Sequence, residues 1–132
     1  MSVVSGSQTE IVVEIGIDCA DLEVMAKFWS AALGYLPGVV DIERYADASA
    51  IYYSLIDPAG KRPKIILQRV PEARSVKNRL HLDLHVVDID TESERLMRLG
   101  AHRIDSTPVS EAGAVWIRLM DPEGNEFCLV RK

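Results

Sequence analysis

The stretch RLHLDLHVVD at residues 79–88 places polar side chains on alternate positions. His81, Asp83 and His85 are separated by apolar residues, and successive side chains of a β-strand point to opposite faces. The alternation therefore predicts a strand with one polar face. Imidazole and carboxylate groups on one face can bind a metal ion or transfer a proton. The same pattern also fits the wet side of an ordinary strand, and both interpretations are open at this point.

This strand belongs to a unit that occurs twice in the chain. Each copy contains a polar-apolar strand, an amphipathic stretch that ends in Leu-Gly, and a DPxG turn. The matching landmarks are residues 14–21 and 81–88, Gly34 and Gly100, and residues 57–60 and 121–124. Their nearly constant offset indicates two copies of one structural unit.

The hydrophobic period in each copy changes from two to about 3.6 and back, which predicts a strand, a helix and three further strands. Gly34 and Gly100 stand where a helix ends in a left-handed residue. Thr91 and Glu94 have the spacing of a capping box at the start of the second helix. The predicted apolar faces are Leu22, Met25, Phe28, Trp29, Ala32 and Leu33 in the first helix, and Ile89, Leu96, Met97 and Leu99 in the second.

These signals predict an α+β fold made of two tandem βαβββ modules. We expect a flexible tail at residues 1–10 and a single domain over residues 11–131. Within that domain the predicted first module covers residues 11–70, the polar link 71–77 and the second module 78–131. Each module alone is small for a self-sufficient core, so the two halves are expected to fold together.

Composition excludes several classes of function. The 132 residues carry a net charge of −5, which disfavours the attraction to phosphate backbones on which nucleic-acid binding depends. No apolar run is long enough to span a membrane, and the first ten residues lack the pattern of a signal peptide. We therefore expect a cytoplasmic protein that binds neither nucleic acid nor membranes.

The chain resembles the vicinal oxygen chelate superfamily, which includes glyoxalases, bleomycin-resistance proteins and dioxygenases, and within it the glyoxalase-like subgroup. The resemblance covers residues 11–131 and is carried by IDCADLEVMAKFWSAALGY, by LQRVPE and KNRLHLDL at the junction, and by DPEGNEFCLV. It implies that the strands form one open, barrel-like cup with the helices outside and a small-molecule ligand inside. It also implies a homodimer, because relatives usually pair.

The implied cup sorts the candidate site residues by face. His81 and Glu14 are the candidate catalytic residues, because each carries a proton-transferring group on the polar face of a first strand. The candidate substrate-binding residues are Asp18, Tyr52, Asp83, His85, Trp116 and Arg118. A flat aromatic ring beside a guanidinium suits a planar or anionic substrate. The opposite strand phase would instead turn Trp116 outward, under another subunit.

Metal-dependent members of the superfamily use four ligands from two modules, which the resemblance assigns here to Glu14, Gln68, His81 and Cys128. Such a set would hold Zn, Ni, Mn or Fe, but it mixes ligand types that no single metal prefers. We therefore expect no tightly held metal. His81 would then hydrogen-bond to a neighbouring carboxylate such as Glu14. Cys19 is expected on the face opposite Cys128, which argues against a disulfide.

Two functions fit this reading of the sequence. The first is an enzyme that acts on a small organic molecule as a lyase, isomerase or dioxygenase. The second is a non-catalytic protein that binds and sequesters a small molecule, as the antibiotic-resistance members of the superfamily do. Both would use the same polar cup, and the sequence leaves the choice between them open.

Overall fold

The computed structural model describes residues 10–38 and 49–131, which form two helices and two mixed β-sheets. The first module consists of β1 (Glu14–Cys19), α1 (Leu22–Leu33), β2 (Leu36–Pro37), β3 (Tyr52–Ile56) and β4 (Lys64–Arg69). The second consists of β5 (Leu82–His85), α2 (Ile89–Leu99), β6 (His102–Arg103), β7 (Val109–Glu111), β8 (Ala114–Met120) and β9 (Glu126–Arg131). The α+β class and the repeated βαβββ order are confirmed, with β7 added to the second module.

Both sheets have the same topology. The first has the order β1-β4-β3-β2, and β1 is parallel to β4. The second has the order β5-β9-β8-β6, with β5 parallel to β9, and β7 pairs with β8. No strand pair joins the two sheets within the described ranges, so they do not close a barrel, and β1 and β5 each leave one edge unpaired.

The predicted N-terminal tail falls mostly outside this description, since only residue 10 of it belongs to the described ranges. Neither described helix is both long and apolar enough to span a lipid bilayer.

Both helices begin at an aspartate. Asp21 accepts a hydrogen bond from the Val24 amide, and Asp88 accepts one from the Thr91 amide, each at 3.1 Å. The capping box predicted at Thr91 is therefore wrong by three residues, because Asp88 supplies the cap and Thr91 lies inside the first turn. Gly34 ends α1 at φ +70°, a left-handed conformation that favours glycine, as expected.

The two helices differ in how deeply they are buried. All the predicted apolar residues of α1 up to Ala32 are buried. In α2, Ile89 and Leu96 are buried, but Met97 and Leu99 are exposed, so the predicted apolar face of α2 was too wide. The difference arises because α1 packs against both modules, whereas α2 packs mainly on β9.

Trp29 of α1 joins the two modules. Its ring meets Phe127 of β9 edge to face, with the ring centroids 5.2 Å apart. Its indole Nε1 donates a hydrogen bond to the buried Asp121 carboxylate at 3.1 Å. Glu123, in the turn after β8, accepts hydrogen bonds from the Ala20 and Asp21 amides, at 2.7 and 2.8 Å, just before α1 begins. The second module thus satisfies backbone donors of the first.

The C-terminal end of α1 is held in a similar way. Its last turn contains no basic residue. Arg62 donates to the Leu33 carbonyl at 2.8 Å, and Arg95 of α2 donates to the Ala31 and Ala32 carbonyls at 3.1 and 3.0 Å. These guanidinium groups satisfy carbonyls that the helix itself leaves unpaired. Both ends of α1 are therefore fixed partly by the second module.

The two DPxG turns share a sequence pattern but hold their aspartates differently. Asp57 accepts hydrogen bonds from the Ala59 and Arg62 amides, and also from the Arg62 guanidinium and the Lys61 amide. These hydrogen bonds lower the pKa of Asp57 to about 2. Asp121 also accepts several hydrogen bonds, but it is fully buried. Burial raises the pKa of Asp121 above the ordinary value, with the hydrogen bonds opposing that effect.

These opposite shifts predict opposite pH effects on stability. Asp57 stabilises the fold fully above about pH 4, the unfolded-state value, and this contribution is lost as the pH falls towards 2. The stability lost in Asp57→Ala should therefore be larger at pH 7 than at pH 3. For Asp121→Ala the loss should be larger at pH 4 than at pH 7, because the contribution of Asp121 falls as the pH rises through its raised pKa. Urea unfolding at each pH measures both losses, and pH trends of the same sign in the two variants would contradict the assignment.

Candidate functional site

The strand alternation predicted for β1 and β5 is confirmed by burial. In β1, Glu14 and Asp18 are exposed, whereas Ile15 and Ile17 pack against the core. In β5, Asp83 and His85 are exposed while the leucines between them face the core. The chemistry-bearing side chains of both strands therefore lie on the solvent side of their sheets.

A row of polar side chains crosses the second sheet. Asp83 on β5 is the register partner of Cys128 on β9, which is in turn the partner of Arg118 on β8. Two residues away on each strand, Val130 of β9 lies between its register partners, His85 on β5 and Trp116 on β8. We call this surface the polar face of the second sheet. It comprises His81, Asp83, His85, Trp116, Arg118 and Cys128.

His81 and Asp83 form a pair on this face. The His81 Nε2 atom lies 3.2 Å from Asp83 Oδ1, and the two side chains are 51% and 49% exposed. The carboxylate paired with His81 is thus Asp83, two residues further along the chain on β5, whereas His81 itself lies just before that strand. It is not Glu14, the carboxylate named from the sequence, which instead forms an ion pair with Lys64 at 3.4 Å.

Arg118 is held by Asp105, a residue that the sequence did not single out. The Arg118 Nη2 and Nε atoms lie 2.9 and 3.1 Å from the two carboxylate oxygens, and the Arg118 amide also donates to Asp105 at 2.9 Å. These hydrogen bonds lower the pKa of Asp105. Asp105 lies outside the regular strands, where no periodic pattern could have revealed it. The guanidinium is consequently fixed in place and remains partly exposed.

Cys128 lies between these two pairs. Burial raises the pKa of its thiol to about 11, with further contributions from the charge of Asp83 and from a hydrogen bond to that residue. The nearby Arg118 acts in the opposite direction. At neutral pH the thiol is therefore protonated and a weak nucleophile. Cys19 is buried on the core side of β1, and both cysteines are free, as expected.

The remaining predicted residues lie on the first sheet. Asp18, Gln68 and Tyr52 form a row across β1, β4 and β3. The strand registers make Tyr52 of the first sheet the counterpart of Trp116 of the second sheet. By the same registers Gln68 corresponds to Val130, and Ile66 is the residue that corresponds to Cys128.

A groove runs between β1 and the start of β5. It has a volume of about 640 Å³, and its lining includes Glu14, Asp18 and His81, with Trp29 and Phe127 from the core. The predicted catalytic pair, His81 and Glu14, thus borders the same groove without forming the His–carboxylate contact.

The structure offers a metal ion a donor set different from the four residues implied by the family resemblance. Among the His, Cys, Asp and Glu side chains described, ligand atoms of His81, Asp83 and Cys128 lie within 4.8 Å of one another. Glu14 is not part of that group, and Gln68 belongs to the row on the first sheet. Imidazole, carboxylate and thiol donors together are a set that zinc accepts. The residues present therefore fit zinc through this trio and not through the quartet.

The surroundings of Cys128 predict how its thiol reacts with iodoacetamide. With a pKa of about 11 in place of 9.0, the thiolate fraction at pH 7 falls about 100-fold, so alkylation should be slow and should accelerate up to about pH 11. Asp83→Asn should lower the apparent pKa and speed the reaction, while Arg118→Gln should slow it. Peptide mass spectrometry follows the modification. An apparent pKa near 9 that neither variant changes would contradict this picture.

Comparisons with known proteins agree on the fold. A superfamily member from Sphaerobacter thermophilus, described as glyoxalase/bleomycin resistance protein/dioxygenase, has a TM-score of 0.67 and 21% identity, covering 94% of this chain and 98% of its own. The fosfomycin resistance protein FosX from Listeria monocytogenes has a TM-score of 0.70 and 14% identity, covering 95% of both chains. FosX from Mesorhizobium loti has a TM-score of 0.68 and 16% identity, covering 95% of this chain and 94% of its own.

At these identities the structural neighbours establish the fold and nothing finer. Curated proteins provide no sequence match to the chain. The sequence profile of the Glyoxalase-like domain, however, matches residues 14–130, which include both modules and every residue of the polar face. The chain therefore belongs to the glyoxalase-like domain family.

Proposed function

We propose that the protein is an enzyme that binds a small organic molecule on the polar face of the second sheet, with His81 transferring a proton. The observation that carries the proposal is the contact of 3.2 Å between His81 and Asp83 on an open surface. A carboxylate beside an imidazole orients the ring for proton transfer. Such a pair suits the lyase, isomerase or dioxygenase chemistry found in this superfamily.

Trp116 and Arg118 would provide the binding surface for that molecule. They lie two positions apart on β8, so their side chains project from the same face. Asp105 already restrains the Arg118 guanidinium, so binding of the molecule would cost less side-chain conformational entropy. A ring with an attached carboxylate would stack on the indole and pair with the guanidinium. A planar, anionic compound is therefore the substrate class that this face favours.

Non-catalytic sequestration is the second candidate function. It is favoured by the state of Cys128, whose raised pKa keeps the thiol protonated and unreactive in the middle of the face. A face of this kind can bind a compound without changing it.

Phenylpyruvate is a suitable probe, because it is planar and anionic and has an acidic C–H group. We expect it to quench the fluorescence of Trp116, and the quenching should be absent in Trp116→Phe. Arg118→Gln should weaken binding by roughly tenfold or more, the size expected for loss of a charge-assisted hydrogen bond. Arg98→Gln, which removes an exposed arginine from the last turn of α2, is the matched control and should have no effect.

The same mixture in D2O separates the two candidate functions. Deuterium exchange at the acidic carbon that is faster than in the absence of protein, followed by NMR and reduced to the protein-free rate in His81→Gln, would support the enzyme. Binding without acceleration of the exchange would support sequestration. If Arg118→Gln binds phenylpyruvate as tightly as the unmodified protein does, the proposed surface is wrong.

We also propose that two chains pair through the open edges of β1 and β5. Among residues 10–38 and 49–131 no strand pairs with these edges, and exposed apolar side chains lie beside them. Ile11 and Val12, 82% and 78% exposed, precede β1, and Leu80, 88% exposed, precedes β5. An open edge flanked by exposed apolar residues favours association with another strand. A second copy of the chain would cover both edges through a symmetric interface.

Light scattering should then report twice the chain mass of 14.7 kDa at micromolar concentration. Val12→Lys combined with Leu80→Lys should shift the protein to the monomer, because a charge at each edge opposes pairing. Val76→Lys, at an exposed position in the polar link, is the control and should leave the mass unchanged. A monomeric unmodified protein would refute the pairing.

A further inference from the structure

A second groove lies where the end of α1 meets α2, bordered by apolar residues of β1, β4 and β5. Its volume is about 480 Å³, a size typical of pockets that bind small molecules. Much of its lining is aliphatic and includes Ile15, Ile65, Leu82, Leu84, Leu96 and Leu129. We propose that this surface, the interhelical groove, binds an uncharged aliphatic molecule that carries one hydrogen-bond acceptor.

The helices leave part of this apolar surface uncovered. Leu82 and Leu84 of β5 pack against the core but are only half-buried, and both line the groove. Ile65 and Leu96, each 1% exposed, form the buried part of the lining. An aliphatic chain lying on these residues would remove apolar surface from water on both sides, which favours binding.

The two arginines that border the groove already have carboxylate partners. Arg95 forms an ion pair with Glu92 at 2.6 Å, and Arg62 contacts Asp57 at 3.4 Å. Both guanidinium groups also donate to carbonyls at the C-terminal end of α1, where the helix carries a partial negative charge. A charged ligand would lose its hydration here without gaining a free counter-ion, so the groove favours an uncharged one.

Arg62 supplies the hydrogen-bond donor for the polar end of the ligand. Its guanidinium lies over the Tyr35 ring, 4.8 Å from the ring centroid, and both residues line the groove. Among residues 10–38 and 49–131, its guanidinium hydrogen bonds use the Nε and Nη2 atoms. The Nη1 atom is therefore the donor that can bind a ligand carbonyl. An aliphatic ketone or aldehyde combines that acceptor with an apolar chain.

The repeat provides a matched control for the position of the ligand. Leu84 lines the interhelical groove, and its counterpart in β1 is Ile17, because the first strands and the helix caps of the two modules are 67 residues apart. Ile17 lines the other groove, the one between β1 and the start of β5. A tryptophan at either position adds a ring to one groove and leaves the lining of the other unchanged.

Calorimetric titration of the full chain with 2-octanone tests the proposal. We expect one molecule bound per chain, with 2-hexanone binding about tenfold more weakly because it buries two fewer methylene groups. Octanoate, which has the same chain length but a negative charge, should bind at least roughly tenfold more weakly than 2-octanone. Leu84→Trp should abolish the binding of 2-octanone, whereas Ile17→Trp should leave it unchanged.

The role of Arg62 is tested by Arg62→Met, which should weaken 2-octanone binding by roughly threefold to tenfold, the loss expected for one hydrogen bond. Arg98→Met removes an exposed arginine of α2 outside the groove and should have no effect. Circular dichroism shows whether each variant is folded.

Three results would overturn the proposal. Octanoate binding as tightly as 2-octanone would show that the groove does not select an uncharged ligand. Loss of binding in Ile17→Trp with retention in Leu84→Trp would place the ketone in the other groove. If 2-octanone does not bind and Leu84→Trp instead changes the mass found by light scattering, a second copy of the chain covers the groove. Arg118→Gln should leave 2-octanone binding unchanged, so this site and the proposed phenylpyruvate surface can fail independently.

Discussion

The docking of α1 against both modules joins the two halves of the molecule. Trp29 packs on Phe127 of the second sheet and donates its indole hydrogen to the buried Asp121, while the other residues of the same helix face cover the first sheet. Glu123 and Arg95 hold the two ends of the helix from the second module. One helix of the first module therefore packs against the apolar sides of both sheets.

That arrangement decides which surfaces are free for function. Once the apolar face of each sheet is committed to the helices, the alternating side chains on the opposite face must meet solvent. On the second sheet those side chains are the His81–Asp83 pair, Cys128 and the guanidinium held by Asp105. The chemistry of the site is therefore a consequence of strand periodicity combined with strand register. Neither periodicity alone nor register alone brings side chains from β5, β8 and β9 together.

The two modules share a fold but have diverged in chemistry. At matching places the second module has a histidine, an aspartate and a cysteine, while the first has Glu14, Gly16 and Ile66. Membership in the glyoxalase-like domain family establishes the scaffold, and the same scaffold supports many reactions with different residues. The function of this chain must accordingly be argued from its own polar face.

The residue pattern alone was enough to predict the α+β class, the repeat, the helix ends at the Leu-Gly pairs and the polar face of each first strand. These features depend on local periodicity and turn chemistry, which neighbouring residues encode. Three contacts became visible only in the folded chain: Asp83 contacts His81, Asp105 holds Arg118, and Cys128 lies beside Asp83. The residues in the last two of these contacts come from different strands or loops. Their proximity depends on strand register and loop path, and no pattern along the chain specifies either one.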